Sequence, residues 1–242
     1  MEEKYKAIVI KSVDYKEDDK LLWLYCCEEG KFSAVIKGVK KAKAQLKFAS
    51  EPFCFGEFSI AKKGDRCVVT GCAAIECFYD LRNDPLKYFS ACVVCDAVAT
   101  LEQCKEGNSA LLISVLKHLR ALNDTSLPPM QIVLKFLLTY LQQTGYFLEF
   151  DKCNCCQSSR LSKLYLDVIK GGLVCVNCRS LGAIAVEPPV LTSMRLVSAT
   201  PLEEQNKLLL KEEYIKGALI VLDKYISGSL LKIKSLSQLI EL

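Results

Sequence analysis

Cys153-Asn-Cys-Cys156, then eighteen residues, then Cys175-Val-Asn-Cys178: this stretch carries most of what the chain discloses about its fold. Two C-x2-C pairs separated by about fifteen to twenty residues have the spacing of a tetrahedral thiolate zinc site. Each pair can turn two sulfurs toward one ion, and the stretch between them is long enough to return as a hairpin. Gly171-Gly172 stands just before the second pair, where a turn must present the thiolates. Four cysteine ligands leave no open coordination position. The expectation is therefore one structural Zn²⁺ on Cys153, Cys156, Cys175 and Cys178, holding the fold and catalysing nothing.

The surrounding composition bounds the class. Of 242 residues, 51% are apolar and 25% charged, as in an ordinary globular protein. Ten further cysteines lie mostly in apolar runs, such as Cys26-Cys27, Cys92-Val-Val-Cys95 and Cys104, and read as small buried hydrophobes of a reducing compartment. Lys135 interrupts the best apolar run, Ile132 to Leu141, well short of the roughly eighteen residues a bilayer crossing needs. The opening Met-Glu-Glu-Lys-Tyr-Lys lacks the apolar core of a signal peptide. A cytoplasmic protein without a membrane partner is expected.

The net charge is only +4, but it is unevenly placed. Residues 150–180 hold five basic side chains against two acidic ones, and Lys31 to Lys47 holds six lysines and no acid. A solvated face accounts for such a stripe on its own, whereas a polyanionic partner would use it.

Residues 1–80 read as five strands: Tyr5 to Val13, Leu21 to Glu28, Phe32 to Val39, Phe53 to Ala61 and Arg66 to Phe78. They are rich in β-branched, aromatic and cysteine residues and are broken at Asp14 to Asp19, Glu29-Gly30 and Lys63-Gly64-Asp65. Five short strands suffice for a small barrel of the oligonucleotide-binding (OB) type, although strand count alone leaves an SH3-like barrel open. Helical periodicity follows from Asp84-Pro85 to about Gln103, from Asn108 to Leu122, and from Pro128-Pro129 to Gly145. Pro188-Pro189 opens another helix, Pro201 restarts it, and Glu212 to Tyr225 is strongly periodic. Gly228 and Ser229 are expected to break that last helix before a short closing one. The fold class is thus α+β. A five-stranded barrel over 1–80 precedes a helical domain over 81–149 and 181–242, with the four-cysteine knuckle inserted at 150–180.

No catalytic constellation stands out. The single histidine, His118, lies in Leu116-Lys-His-Leu-Arg on a helix and reads as a partly buried helix residue. Asp18-Asp19 and Glu17 fall in a turn, and Glu203-Glu204 at a helix start. No phosphate-binding glycine loop or nucleophile elbow is present.

Taken together these features resemble the RecO family of bacterial DNA repair and recombination mediators, over nearly the whole chain. Tyr5-Lys-Ala-Ile-Val-Ile-Lys-Ser-Val-Asp-Tyr15-Lys-Glu17-Asp-Asp19-Lys-Leu21 is similar to the family's first strand and its tyrosine-x-glutamate-x-aspartate turn. Gly30-Lys31 and Lys37-Gly38-Val39-Lys40-Lys41 resemble its next strand and basic glycine turn. The paired knuckles fall where the family carries its zinc module, and Tyr225-Ile-Ser-Gly228 to Lys234-Ser235 resembles its closing helices. Three departures stand out: Cys26 and Cys27 precede the Gly30 turn where a threonine is usual, Gln157 follows the first knuckle where a glycine is common, and Lys40 and Lys41 stand where arginine is frequent.

The resemblance implies a non-enzymatic protein that binds single- and double-stranded DNA and anneals complementary strands coated with single-strand binding protein (SSB). It also implies partnership with RecR and the SSB C-terminal tail, indirect action on RecA, and a place at the bacterial nucleoid. Lys31, Lys37, Lys40, Lys41, Lys43 and Lys47 are the candidate phosphate contacts, with Tyr15 as a base-stacking candidate. Lys152, Arg160, Lys163, Lys170 and Arg179 extend the basic surface into the zinc module. Trp23 and Tyr25 fit either base stacking or the barrel core. Rival readings are an RNA- or ribosome-binding barrel, a scaffold that grips a partner peptide, and a cysteine enzyme using His118.

Overall fold

The computed structural model describes residues 2–64, 66–102, 106–123, 127–159 and 163–242. Asp65, Gln103, Cys104, Asp124, Thr125 and Arg160 lie outside the described residues.

Five strands form at the amino end: β1 (Glu2–Tyr15), β2 (Asp19–Cys26), β3 (Gly30–Ile36), β4 (Phe55–Lys63) and β5 (Arg66–Glu76). They close into a barrel in the order β1-β2-β3-β5-β4. β1 serves two neighbours, pairing through Glu2 to Ile8 with β4 and through Ala7 to Tyr15 with β2. A register shift between Val9 and Lys11 lets it bend from one to the other. Every pairing is antiparallel except the closing one, where Val35 faces Val68 and Ile36 faces Val69 in parallel. This order is that of an OB-type barrel and decides between the two topologies that strand count leaves open. Period-two alternation sends Ala7, Val9, Leu22, Leu24, Ala34, Ile36, Phe58 and Ile60 inward to one core. Each large aliphatic or aromatic side chain buried there contributes about 1.5–3 kcal/mol.

The chain divides into two compact units, Met1–Asn83 with Cys95–Leu116, and Asp84–Val94 with Lys117–Leu242. The first therefore combines the barrel with the end of α1 (Pro85–Leu101) and the start of α2 (Ser109–Asn123). Within this unit Tyr25 points outward from the barrel yet is completely buried. Its hydroxyl accepts the Asn108 N–H at 3.1 Å and donates to the Asn108 carbonyl at 3.4 Å. Gly107 runs so close to the barrel that a Cβ there would sit 2.2 Å from the Cys27 carbonyl oxygen. Tyr25 is thus a packing residue and is not open to bases. Trp23 lies on the outer face, half-buried, with the Lys11 ammonium 5.3 Å over its ring.

The second unit contains α3 (Pro129–Gln143), the strands β6 (Leu164–Asp167), β7 (Gly172–Cys175) and β8 (Ile184–Val186), then α4 (Pro188–Ala199), α5 (Glu212–Ser229) and α6 (Lys234–Glu241). Phe136, Leu137 and Leu141 of α3, Met194 and Val197 of α4, and Leu219, Leu222 and Tyr225 of α5 make its core. Two buried amides complete it: Gln131 Nε2 donates to Gln205 Oε1 at 3.0 Å, and Gln205 Nε2 donates to the carbonyls of Val197 and Thr200. His118 is buried with its ring edge-on to Phe136, centroids 5.2 Å apart. Among the described residues, no helix is long and apolar enough to cross a membrane.

As expected, α5 ends at Ser229 and the short α6 follows from Lys234, although Gly228 itself is still helical. A Cβ on Gly228 would meet the Val168 side chain at 3.0 Å, so the glycine also serves close packing against the strand segment.

Replacing Tyr25 by phenylalanine is expected to lower the stability of the barrel unit by about 0.5–1.5 kcal/mol, because the hydroxyl's bonds to the Asn108 N–H and carbonyl are lost. Urea denaturation reads this directly, and an unchanged midpoint would show that the Tyr25–Asn108 bonds add nothing to stability.

Candidate nucleic-acid interface and metal centre

The three-stranded sheet, ordered β7-β6-β8, carries the cysteine site. β6 and β7 form a hairpin whose turn places Gly171 at φ +67°, and Asp167 organises that turn. Its buried carboxylate accepts N–H bonds from Ile169 at 3.0 Å, Lys170 at 3.1 Å and, across to the second knuckle, Ser180 at 2.6 Å. Burial opposes its ionisation, but these donors prevail and hold the carboxyl below its ordinary value. The first knuckle is laid on the hairpin by the Asn154 N–H to the Leu173 carbonyl at 2.8 Å and by Asn154 Nδ2 to the Lys170 carbonyl at 2.9 Å. Gly172 leaves the room this needs, since a Cβ there would crowd Asn154 at 3.2 Å.

The result brings the sulfurs of Cys153, Cys156, Cys175 and Cys178 within 4.8 Å of one another, with Cys156 and Cys175 at 3.9 Å. Four sulfurs about 2.3 Å from a tetrahedral centre stand about 3.8 Å apart, so the set fits one ion of that kind. Burial works against ionising Cys153, yet N–H groups of Cys156, Cys175 and Cys155 aimed at its sulfur bring the thiol down to about 6. Cys178 moves up to about 12, because it shares hydrogen bonds with Cys175 and Cys156 and a second negative sulfur is disfavoured beside the first. A bound cation removes that conflict.

Gln157 adopts φ +59°, the left-handed conformation that glycine takes without cost. Its N–H still closes the knuckle on the Cys153 carbonyl at 2.9 Å. Gln157→Gly should therefore stabilise the metal-loaded module by about 1 kcal/mol, read as slower metal loss to a competing chelator. Faster loss would show that the Gln157 side chain contributes more than its backbone costs.

The barrel lysines separate into three groups. Lys31 turns toward α1 on the outside of the barrel, its ammonium donating to the Ala99 carbonyl at 2.7 Å, and burial lowers its pKa despite the nearby Glu102. Lys40 pairs with Asp14 at 2.8 Å and Lys41 with Asp18 at 3.5 Å, all on exposed or half-exposed groups. The Lys40 ammonium correspondingly holds the Asp14 carboxyl low. Lys37, Lys43 and Lys47 are exposed. The turn that presents this segment is fixed by Asp19, whose carboxylate accepts the Gly38 N–H at 2.8 Å while Gly38 takes φ +66°.

Lys37 also lines a shallow depression of about 410 Å³ with Tyr15, Lys16, Ser33 and Arg66. Tyr15 is exposed there, with the Lys16 ammonium 5.4 Å over its ring. Lys16 and Arg66 are absent from the residues singled out in the sequence. Parallel pairing of β3 with β5 sets Arg66 level with Ser33, toward the other end of the depression from Lys37, and no local motif signals that both line it. In the cysteine module, Lys152, Lys163 and Lys170 are exposed, and the Arg179 guanidinium stacks 4.6 Å over Tyr165.

Comparison with known proteins agrees with this architecture. The family model described as "Recombination protein O N terminal" matches residues 1–78, and "Recombination protein O C terminal" matches residues 82–237. A protein of Clostridium novyi (strain NT) named DNA repair protein RecO is 28% identical over 227 residues, covering 93% of this chain and 88% of that protein. Its namesake from Clostridium perfringens (strain 13 / Type A) is 29% identical over 235 residues, 96% of this chain and 95% of that protein. The one from Acetivibrio thermocellus is 33% identical over 175 residues, 72% of this chain and 70% of that protein. With both halves matched in order, barrel first and helical body with its four sulfurs second, the chain belongs to the RecO family of DNA repair and recombination proteins.

Proposed function

We propose that this chain is a non-enzymatic recombination mediator that binds single- and double-stranded DNA on the barrel and anneals complementary strands. Family membership supports the further steps, which are assistance to RecA loading on SSB-coated single strands, cooperation with RecR and docking of the SSB C-terminal tail. The observation that carries the DNA-binding reading is the depression where Tyr15, Lys16, Lys37 and Arg66 converge. Three cations there can neutralise successive phosphates and release condensed counterions, while Tyr15 offers a face to an unstacked base. Lys43 and Lys47 extend the track along the segment that follows. Annealing asks for no bond making; it needs two strands held close with their charge screened.

Lys40 and Lys41 differ from the other lysines in having carboxylate partners. Exposed ion pairs of their kind contribute about 0–1 kcal/mol, so a phosphate can displace Asp14 and Asp18 as partner. Lys31, held on the Ala99 carbonyl, is left out of the surface. On Cys153, Cys156, Cys175 and Cys178 we place one structural Zn²⁺, which when bound crosslinks the two knuckles and leaves no coordination position for substrate. Elemental analysis should return about one zinc per chain, and a metal-free protein with four titratable thiols would contradict this.

Salt titration of oligonucleotide affinity tests the DNA interface. Lys37→Ala combined with Arg66→Ala should weaken binding to single strands and flatten the logarithmic salt slope by roughly 0.7 for each phosphate that is no longer neutralised. Lys31→Ala should leave the slope unchanged. Asp14→Asn with Asp18→Asn should strengthen binding by releasing Lys40 and Lys41. An unchanged slope in the first variant would move the binding surface elsewhere.

A further inference from the structure

Outside the metal site the barrel holds a second sulfur cluster, built where β4 begins and β5 ends. Phe55 pairs with Glu76, so Cys54 and Cys77 face each other one step beyond the ladder. Their sulfurs are 3.0 Å apart, about 1 Å more than a disulfide bond. Opposed positions of an antiparallel ladder have Cα separations of about 4.5–5.5 Å, inside the range of about 4.4–6.8 Å that disulfides occupy. We propose that Cys54 and Cys77 are a reversible redox pair, closed to a disulfide by a peroxide and reopened by a dithiol.

Three independent features hold the pair ready. The residues flanking it, Phe53 at φ +70° and Phe78 at φ +46°, both sit in the left-handed region that non-glycine residues avoid. Such backbone persists only where the surroundings over-determine it. Here Phe53 N–H donates to the Val9 carbonyl and Val9 N–H to the Cys54 carbonyl, each at 2.9 Å. Arg82 spans the two chain segments, its guanidinium donating to the Pro52 carbonyl at 2.6 Å and the Cys77 carbonyl at 3.4 Å. Lastly, a third sulfur is within reach. The Cys72 sulfur lies over Gly56, where a Cβ would meet it at 3.1 Å. The Cys54 thiol draws the Cys72 thiol down against the effect of burial, while Cys72 pushes Cys54 up, so the proton stays on Cys54.

The chemistry balances with hydrogen peroxide as oxidant. The sulfur of Cys77, a residue 9% exposed against none for Cys54, attacks one peroxide oxygen. The O–O bond breaks, water leaves and Cys77 becomes a sulfenic acid. The Cys54 sulfur then attacks the Cys77 sulfur. The S–O bond breaks, and the departing hydroxide takes the Cys54 proton and leaves as a second water. Two thiols are oxidised and one peroxide is reduced. The bond pins the point where the segment from Lys37 to Phe53 re-enters the barrel, whatever ligand that segment binds.

The test uses the full chain with its metal retained, treated with hydrogen peroxide and digested without reduction. A Cys54–Cys77 crosslinked peptide short of two hydrogens is expected, reversed by dithiothreitol and accompanied by a raised urea midpoint. The crosslink should be absent in Cys77→Ser and should still form in Cys72→Ser. Wild-type peptide mapping decides the matter even where a variant folds poorly. If the exposed Cys155 is oxidised while Cys54 and Cys77 both stay alkylatable after unfolding, or if Cys54 is recovered bonded to Cys72, the proposal is overturned.

Discussion

Closure of the barrel rests on a short parallel contact, Val35 beside Val68 and Ile36 beside Val69. Without it β3 and β5 would be open edges, and the core around Leu22, Leu24 and Phe58 would be reachable by water. A parallel pair cannot be joined by a tight hairpin, so the chain must leave β3 and come back by a crossover. The lysine-bearing segment and β4 are that crossover. A connecting segment at this place is thus required by topology, although its lysines are not. The same closure brings the start of β5, with Arg66, to the depression that Lys37 also lines.

Charge on this face is balanced locally. Asp14 near the end of β1 and Asp18 of the turn after it each meet a lysine of the crossover, while Asp19 spends its carboxylate on the Gly38 N–H. Three neighbouring acids therefore do two jobs. One fixes the turn's backbone, and two keep mobile ammonium groups near it without binding them tightly. A patch arranged in this way keeps repulsion between its lysines small until a polyanion arrives.

The cysteine module follows another logic. Its ligands are placed by backbone hydrogen bonds from Asp167 and Asn154 before any ion enters, which is why the four sulfurs already converge. The cost appears at two points: a glutamine forced into left-handed backbone at 157, and the opposed shifts of Cys153 and Cys178. Cys54 and Cys77, by contrast, owe their proximity to the end of a β-ladder and share no ligand with that site.

Strand number, helix order and the four-sulfur cluster were legible in the chain because each rests on a local signal: period-two alternation, proline and asparagine at helix starts, and fixed cysteine spacing. The packing role of Gly228 was not legible, since a glycine near a helix end and one that lets a side chain pass close to it read identically in sequence. Tyr25 was left open and Lys31 was expected among the phosphate contacts. Their places depend on what the segment from Cys95 to Leu116 does to the outside of the barrel, and that segment is distant in the chain. Arg66 and the Cys54–Cys77 pair likewise exist as sites only after non-adjacent strands pair. Sequence by itself determined which elements form and which atoms can bind a metal, because those depend on neighbours along the chain. Tertiary structure alone decided which cations face solvent and which sulfurs meet, because those depend on strand order and on what covers each face.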